Sequence, residues 1–305
     1  MKQLVRDAWR SGVRLLKECG IPHPSRETRW LLSAILNIEP TRLHLYWDQP
    51  FSSESGQVFK RMLTGRSRGI PLQYVIGTWE FMSCPLSVRE GVFIPRLDTE
   101  SWVEEVISWA QSAPSRGKVR LLDLCCGSGT IACACAFWIP RLMALGVDIS
   151  EEAIRLARQN ARQLGIEART QFLVSDLFEV FRNQRRASFD LVLSNPPYIR
   201  EDEWETLPDG VRFYEPKQAL IGGPDGLEVI RRILDEGRDF LEKDGIMVIE
   251  HAPGQAVMLQ EMLSQDLVLE FRRTITDLTG QPRATMIGHR EIRKGAAAGE
   301  ASGMG

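Results

Sequence analysis

Apolar positions recur every third or fourth residue through the first 70 residues. Leu4, Ala8, Trp9, Val13 and Leu16 predict a helix that ends at Gly20, with Pro22 beyond it. Ser25-Arg26-Glu27-Thr28 opens a second helix carrying Trp30, Leu31, Ala34 and Ile35, which Pro40 closes. A third runs from about Ser52 to Arg66 and stops at Gly69-Ile70-Pro71. Residues 1–71 therefore read as a small helical bundle. Residues 72–95 change character: Tyr74-Val75-Ile76, Leu86-Ser87-Val88 and Val92-Phe93-Ile94 are short extended runs punctuated by Gly77, Pro85 and Gly91. They predict a β-hairpin connector.

From residue 96 to about 290 the pattern alternates. Continuous apolar runs at Val119–Leu124, Leu142–Ile149, Phe172–Val174, Phe189–Leu193 and Gly245–Glu250 predict strands buried on both faces. Between them lie an Ala/Cys-rich helix, a helix that Ser150 can cap, and a longer one over about Gly226–Lys243. Two further short strands are predicted near Leu267–Phe271 and Ala284–Ile287. Such a chain folds as an α/β protein with a doubly wound, mainly parallel sheet. The last stretch, 291–305, is rich in Gly, Ala and Ser, and is expected to be a disordered tail.

Composition changes this picture little. Of 305 residues 43% are apolar and 26% charged, which suits one sizeable core and a smaller one. The apolar run Ile131–Ile139 stops at Pro140-Arg141, far short of the ~20 residues that cross a bilayer. The N-terminus has no apolar stretch before Arg6 and Asp7, so a cytoplasmic protein with no membrane partner is expected. Six cysteines without a Cys-x-x-Cys pair and four scattered histidines suggest small buried hydrophobes and no metal site. A net charge of −2 argues against a stable nucleic-acid partner. The first 70 residues nevertheless hold twelve basic against six acidic residues, a surplus that could steer an acidic partner or simply be solvated.

Candidate chemistry begins where the first strand of the alternating region ends. Asp123-Leu124-Cys125-Cys126-Gly127-Ser128-Gly129-Thr130 runs from strand into a tight turn and helix. Gly127 and Gly129 let a ligand approach the backbone at the carboxyl edge, where such sheets bind ligands. Asp148, at the end of the next strand, can accept both ribose hydroxyls of an adenosine. The spacing also fits a dinucleotide fingerprint. Two acids favour S-adenosylmethionine (AdoMet): Asp123, expected to orient the cationic methionine end, and Asp176, whose carboxylate can meet the adenine amino group with Leu177 and Phe178 against its face.

The strand Phe189–Leu193 leads through Ser194 directly into Asn195-Pro196-Pro197-Tyr198. An amide or aryl-amine nitrogen is a poor nucleophile because its lone pair is delocalised. A site that methylates one must hold the NH₂ with its electrons turned toward the sulfonium methyl. The Asn195 carboxamide oxygen can accept one N–H and the Pro196 carbonyl the other, with Pro197 stiffening the loop and Tyr198 stacking on the planar group. Positioning would supply most of the acceleration.

These motifs resemble those of the release-factor glutamine N5-methyltransferases (PrmC/HemK type). The likeness takes in Pro71-Leu72-Gln73-Tyr74-x-x-Gly77, Ile94-Pro95-Arg96-x-x-Thr99-Glu100, the glycine loop and Ser194–Ile199. It continues through Tyr214-Glu215-Pro216-x-x-Ala219-Leu220-x-Gly222-Gly223-x-Asp225-Gly226-Leu227 and Gln255. It implies a class I AdoMet-dependent methyltransferase sheet over 96–290 and a substrate-docking domain over 1–71. It also implies methylation of the glutamine in the Gly-Gly-Gln motif of bacterial class I peptide chain release factors, a step in translation termination, with S-adenosyl-L-homocysteine as product. By position, Cys125, Cys126, Gly127, Ser128, Gly129, Asp148, Asp176, Leu177 and Asn195 would line the AdoMet pocket, and Asn195, Pro196, Pro197 and Tyr198 would hold the glutamine. The chain departs from the family pattern at Asp98, at Cys125-Cys126, at His251–Gly254, and at Pro282 within Asp277–Arg283. Alternatives are an adenine-N6 nucleic-acid methyltransferase, a glutamine methyltransferase of a ribosomal protein, a nicotinamide-dependent oxidoreductase, and AdoMet binding without catalysis.

Overall fold

A computed structural model describes residues 3–112, 117–182 and 188–290; the tail 291–305 lies outside the described residues. Helices α1 (Val5–Glu18), α2 (Pro24–Leu36) and α3 (Ser53–Ser67) form where the 3.6-residue period predicts them. They turn Val5, Ala8, Leu16, Leu31, Leu32, Phe59 and Leu63 onto one core. Arg66 pairs with Glu27 at 2.5 Å with both side chains nearly buried, so one arginine of the basic surplus faces inward.

The connector departs from expectation in two places. Tyr74-Val75-Ile76 is not extended but belongs to a helical turn, α4 (Leu72–Ile76), which Gly77 ends in the left-handed region at φ 83°. Helical spacing lets Leu72, Val75 and Ile76 pack together on the bundle core, which alternation would not. Strands β1 (Thr78–Phe81) and β2 (Cys84–Ser87) make the expected hairpin, turned by Met82 and Ser83 at φ 51° and 62°. Val92–Ile94 is irregular: the Tyr74 hydroxyl donates to the Val92 carbonyl at 2.6 Å, and the Ile94 N–H donates to Glu215 at 3.1 Å. Side chains there take the bonds that a neighbouring strand would have supplied.

Helix α5 (Leu97–Ser112), absent from the sequence reading, leads into a seven-stranded sheet. In chain order the strands are β3 (Val119–Leu124), β4 (Leu142–Asp148), β5 (Thr170–Val174), β6 (Phe189–Ser194), β7 (Leu241–Glu250), β8 (Leu269–Thr276) and β9 (Pro282–His289). Their spatial order is β5-β4-β3-β6-β7-β9-β8. The first five are parallel and β9 is antiparallel to both neighbours. β8 and β9 run longer than predicted because they pair with each other along nearly their whole length. Helices α6 (Thr130–Trp138) and α7 (Glu151–Gln163) join α5 on one face, where Trp102, Val106, Ile131 and Ile154 meet Leu121 and Leu193. On the other face lie α9 (Glu228–Gly237), α10 (Ala256–Gln265) and the single turn Leu177–Phe181; a short α8 (Asp209–Arg212) lies in the loop after β6. The predicted Gly226–Lys243 helix is only α9, because β7 begins at Leu241. Among the described residues no helix is long and apolar enough to cross a membrane.

The order reverses at β3. The chain leaves it toward β4 on one side and returns by β6 on the other, which opens a crevice at their carboxyl ends. Ser150 caps α7 there, its hydroxyl accepting the Ala153 N–H at 3.2 Å. Replacing it by alanine is expected to cost about 1 kcal/mol. In calorimetry this is a fall in Tm of roughly 2–4 °C.

Candidate active site

Parallel pairing places the loops. Leu124 is in register with Ser194, and Ser194 with Ile249, so Cys125 and Asn195 begin the step beyond two adjacent strand ends, level with Glu250, the last residue of β7. The Ser194 hydroxyl donates to the Leu124 carbonyl at 2.9 Å and fixes the β3–β6 spacing. In front of these ends is a cavity of about 280 Å³. Its wall includes Cys125, Cys126, Gly127, Ser128, Asp148, Asp176, Leu177, Asn195 and Pro197.

Most of the predicted set is thus brought together. Gly129 stands behind the wall. It needs φ 75°, and a Cβ there would lie 2.9 Å from Ala157 and Phe172, so the glycine serves the close packing of the turn. Gly127 does reach the wall, with open space where a side chain would start. Asp148 accepts the Gly127 N–H at 2.8 Å and the Ser150 N–H at 2.8 Å, and burial raises its carboxyl above the usual range. Asp176 accepts from Arg232 at 3.1 Å.

Two expectations, those for Asp123 and Tyr198, are corrected. Asp123 does not face the cavity. It is fully buried, and one oxygen accepts the Ala132 N–H at 3.0 Å, so it ties the first turn of α6 to β3. Burial pushes its carboxyl up to about 8. Pro196 is buried and off the wall. Tyr198 is also off the wall; its hydroxyl donates to Glu250 at 3.2 Å and its ring packs on the core below the loop. The cause is Glu250, a carboxylate 1% exposed that needs donors once removed from water. It receives them from Tyr198, Thr99 and Trp102.

The sequence reading assigned no role to a further part of the wall. Val92, Phe93, Arg96 and Thr99 form it, with Pro216 and Ala219. Buried Glu215 holds this side together by accepting from the Ile94 N–H and, at 2.5 Å, from Arg96, whose guanidinium also lies 4.6 Å over the Phe93 ring. The signal was present in the Ile-Pro-Arg-x-x-Thr-Glu and Glu-Pro-x-x-Ala-Leu motifs. One sequence departure also finds a place: Asp98 pairs at 3.0 Å with Arg283, which in turn pairs with Asp277 at 2.7 Å.

The residues fit AdoMet better than a dinucleotide. The two arginines on the wall, Arg96 and Arg232, are each tied to an acid, which leaves the glycine loop flanked by Asp148 rather than by a free cation for a diphosphate. Asp148 suits hydroxyl donors, Ile149 and Leu177 offer apolar contact to a flat base, and the acids favour a cationic ligand.

Comparison with known proteins agrees. Residues 7–77 match the PrmC N-terminal domain and 115–281 a methyltransferase domain. A release factor glutamine methyltransferase of Geobacter sulfurreducens is 38% identical, over 84% of this chain and 86% of its own. One from Clostridium botulinum is 30% identical over 92% and 97%. The catalytic domain of human hMettl16 superimposes with a TM-score of 0.54 over 79% of this chain and 84% of its own, and at 12% identity that likeness concerns the fold.

Proposed function

We infer that this chain, which belongs to the release factor glutamine methyltransferase family, methylates the side-chain amide nitrogen of the Gly-Gly-Gln glutamine of class I release factors, with S-adenosylmethionine as donor. The carrying observation is Asn195, one residue beyond the β6 end that pairs with β3, on the wall of the same cavity as the glycine loop. Cys125–Ser128, Asp148, Asp176 and Leu177 would hold AdoMet, which supplies an electrophilic methyl group when bound. Asn195 Oδ1 accepts one N–H of the glutamine amide. The second goes to a main-chain carbonyl of the same loop, and Pro196, rigid beside Pro197, is the residue assigned to it. Two acceptors in one plane hold the amide so that its lone pair faces the methyl carbon, and alignment of this kind supplies most of the acceleration. Tyr198 acts through Glu250 as a prop for the loop.

We assign residues 1–71 to docking the protein substrate, 72–95 to the connector and 96–290 to catalysis, in the cytoplasm where release factors work. The adenine alternative finds no support, since the relatives named above act on release factors by name and the likeness to hMettl16, at 12% identity, is one of fold. Labelled AdoMet should methylate a recombinant release factor, and replacing its Gly-Gly-Gln glutamine with alanine should remove the label. Label on that alanine variant, or on DNA oligonucleotides in its place, would overturn the reading.

A further inference from the structure

Asn195 can present either end of its amide to the cavity, and only one end suits the proposed substrate. A donor NH₂ facing the glutamine NH₂ would repel it; the carbonyl oxygen attracts it. Something must therefore set the amide's direction before substrate arrives.

The neighbours of Asn195 impose that direction. The Trp102 indole N–H can only donate, and it gives its proton to Glu250 Oε2 at 2.8 Å. The same oxygen accepts the Thr99 hydroxyl at 2.7 Å. Thr99 has one proton, so its oxygen turns lone pairs toward Asn195, whose Nδ2 lies 3.2 Å away. The amide then meets Thr99 with its nitrogen and leaves Oδ1 for the cavity. A proton on the other carboxylate oxygen, Oε1, would be shared with Tyr198 at 3.2 Å and would leave this sequence of donors unchanged. Thr99 and Glu250 are 3% and 1% exposed, so water does not compete freely for these bonds.

We propose that Thr99 and Glu250 are positioning residues, a polarity relay from the Trp102 indole that fixes the Asn195 carbonyl toward the substrate nitrogen. This inference rests on the glutamine reading of the site. Thr99→Val keeps the shape and removes the relay. It should lower kcat about ten- to a hundredfold, the range expected when a reacting group is poorly aligned, while the Kd for S-adenosylhomocysteine stays within about threefold. Thr99→Ser should restore most of the rate. Because Thr99 acts only through Asn195, adding Thr99→Val to Asn195→Ala should cause no further loss. Glu250→Gln should cost less than about tenfold, since Trp102 would draw the glutamine oxygen to the Thr99 corner and send its NH₂ to Tyr198.

Each variant would be followed by single-turnover methyl transfer to a release factor, with thermal unfolding alongside. Wild-type kcat in Thr99→Val, or an additive loss in the double variant, overturns the relay. If Thr99→Val shows no cooperative unfolding, Thr99→Ser and Glu250→Gln decide: rates within tenfold support the relay, and a larger loss in either overturns it. A wild-type chain that leaves release factors unlabelled overturns the glutamine reading and this inference with it, whereas an active wild type with an unaffected Thr99→Val overturns this inference alone.

Discussion

Replacing Asn195 with alanine should lower the rate of methyl transfer by at least about 10²–10³-fold while changing the Kd for AdoMet by less than about tenfold. The asymmetry follows from where Asn195 stands. On the cofactor side it is one wall residue among many, and a single lost hydrogen bond is worth about 1 kcal/mol. On the substrate side it is, in the proposed function, the side-chain acceptor that turns an amide nitrogen toward the methyl carbon, and misalignment there acts on the rate itself. The Thr99–Glu250–Trp102 bonds lie outside the deleted side chain, and Glu250 keeps its three donors. The variant should therefore fold. Titration calorimetry with S-adenosylhomocysteine and single-turnover transfer to a release factor would separate the two effects. Undiminished transfer would remove Asn195 from the mechanism.

Much of the site was legible because it sits at strand ends, and buried parallel strands announce themselves as apolar runs. β3 and β6 are such runs, and of the residues after them Cys125–Ser128, Asn195 and Pro197 line the cavity. What was not legible depends on long-range partners. Glu250 lies 151 positions from Thr99 and 52 from Tyr198, and a lone acid at the end of an apolar run gives no hint of three donors. The misassigned role of Asp123 has the same origin, since its partner is a main-chain N–H at the start of α6 that no composition reveals. The family motifs marked Arg96, Thr99 and Glu215 without saying where they stand; the fold puts Arg96 and Thr99 on one wall, with buried Glu215 paired to Arg96. Local errors had local causes: Tyr74–Ile76 looks like strand by residue type, yet it is held as helix by packing on the N-terminal core.

The Asn195–Tyr198 loop is stiff for reasons beyond its prolines. Gln255 donates to the Tyr198 carbonyl at 3.0 Å and accepts the Ala252 N–H at 2.9 Å, and the Ile199 N–H donates to the Leu220 carbonyl at 2.9 Å. Gly222 and Gly226 are laid against the loop's back so closely that a side chain at either does not fit. A Cβ on Gly222 would lie 2.4 Å from the Pro197 carbonyl oxygen. The loop's precision is therefore borrowed from a neighbouring turn, and that turn contributes no atom to the cavity wall.

Gly226→Ala should consequently damage catalysis from outside the site. The new Cβ would stand 2.2 Å from the Tyr198 carbonyl oxygen and 2.6 Å from Gln255 Nε2, at a backbone φ of 75° that L-residues rarely adopt. Left-handed strain and the contact together should cost about 2–3 kcal/mol of stability. Relief of the contact must move either the turn or the loop that carries Asn195. A displacement approaching 1 Å is enough to lower kcat about a hundredfold, while the glycine loop and Asp148, held by other bonds, keep AdoMet affinity near the wild-type value. Gly254→Ala is the matched control. It lies nearby before Gln255, has no atom within 4 Å of its Cβ position, and should change stability by less than about 0.5 kcal/mol. Calorimetric Tm, single-turnover rate and S-adenosylhomocysteine binding would be compared for the two variants. Equal rates in both would mean that the position of Asn195 does not depend on this contact.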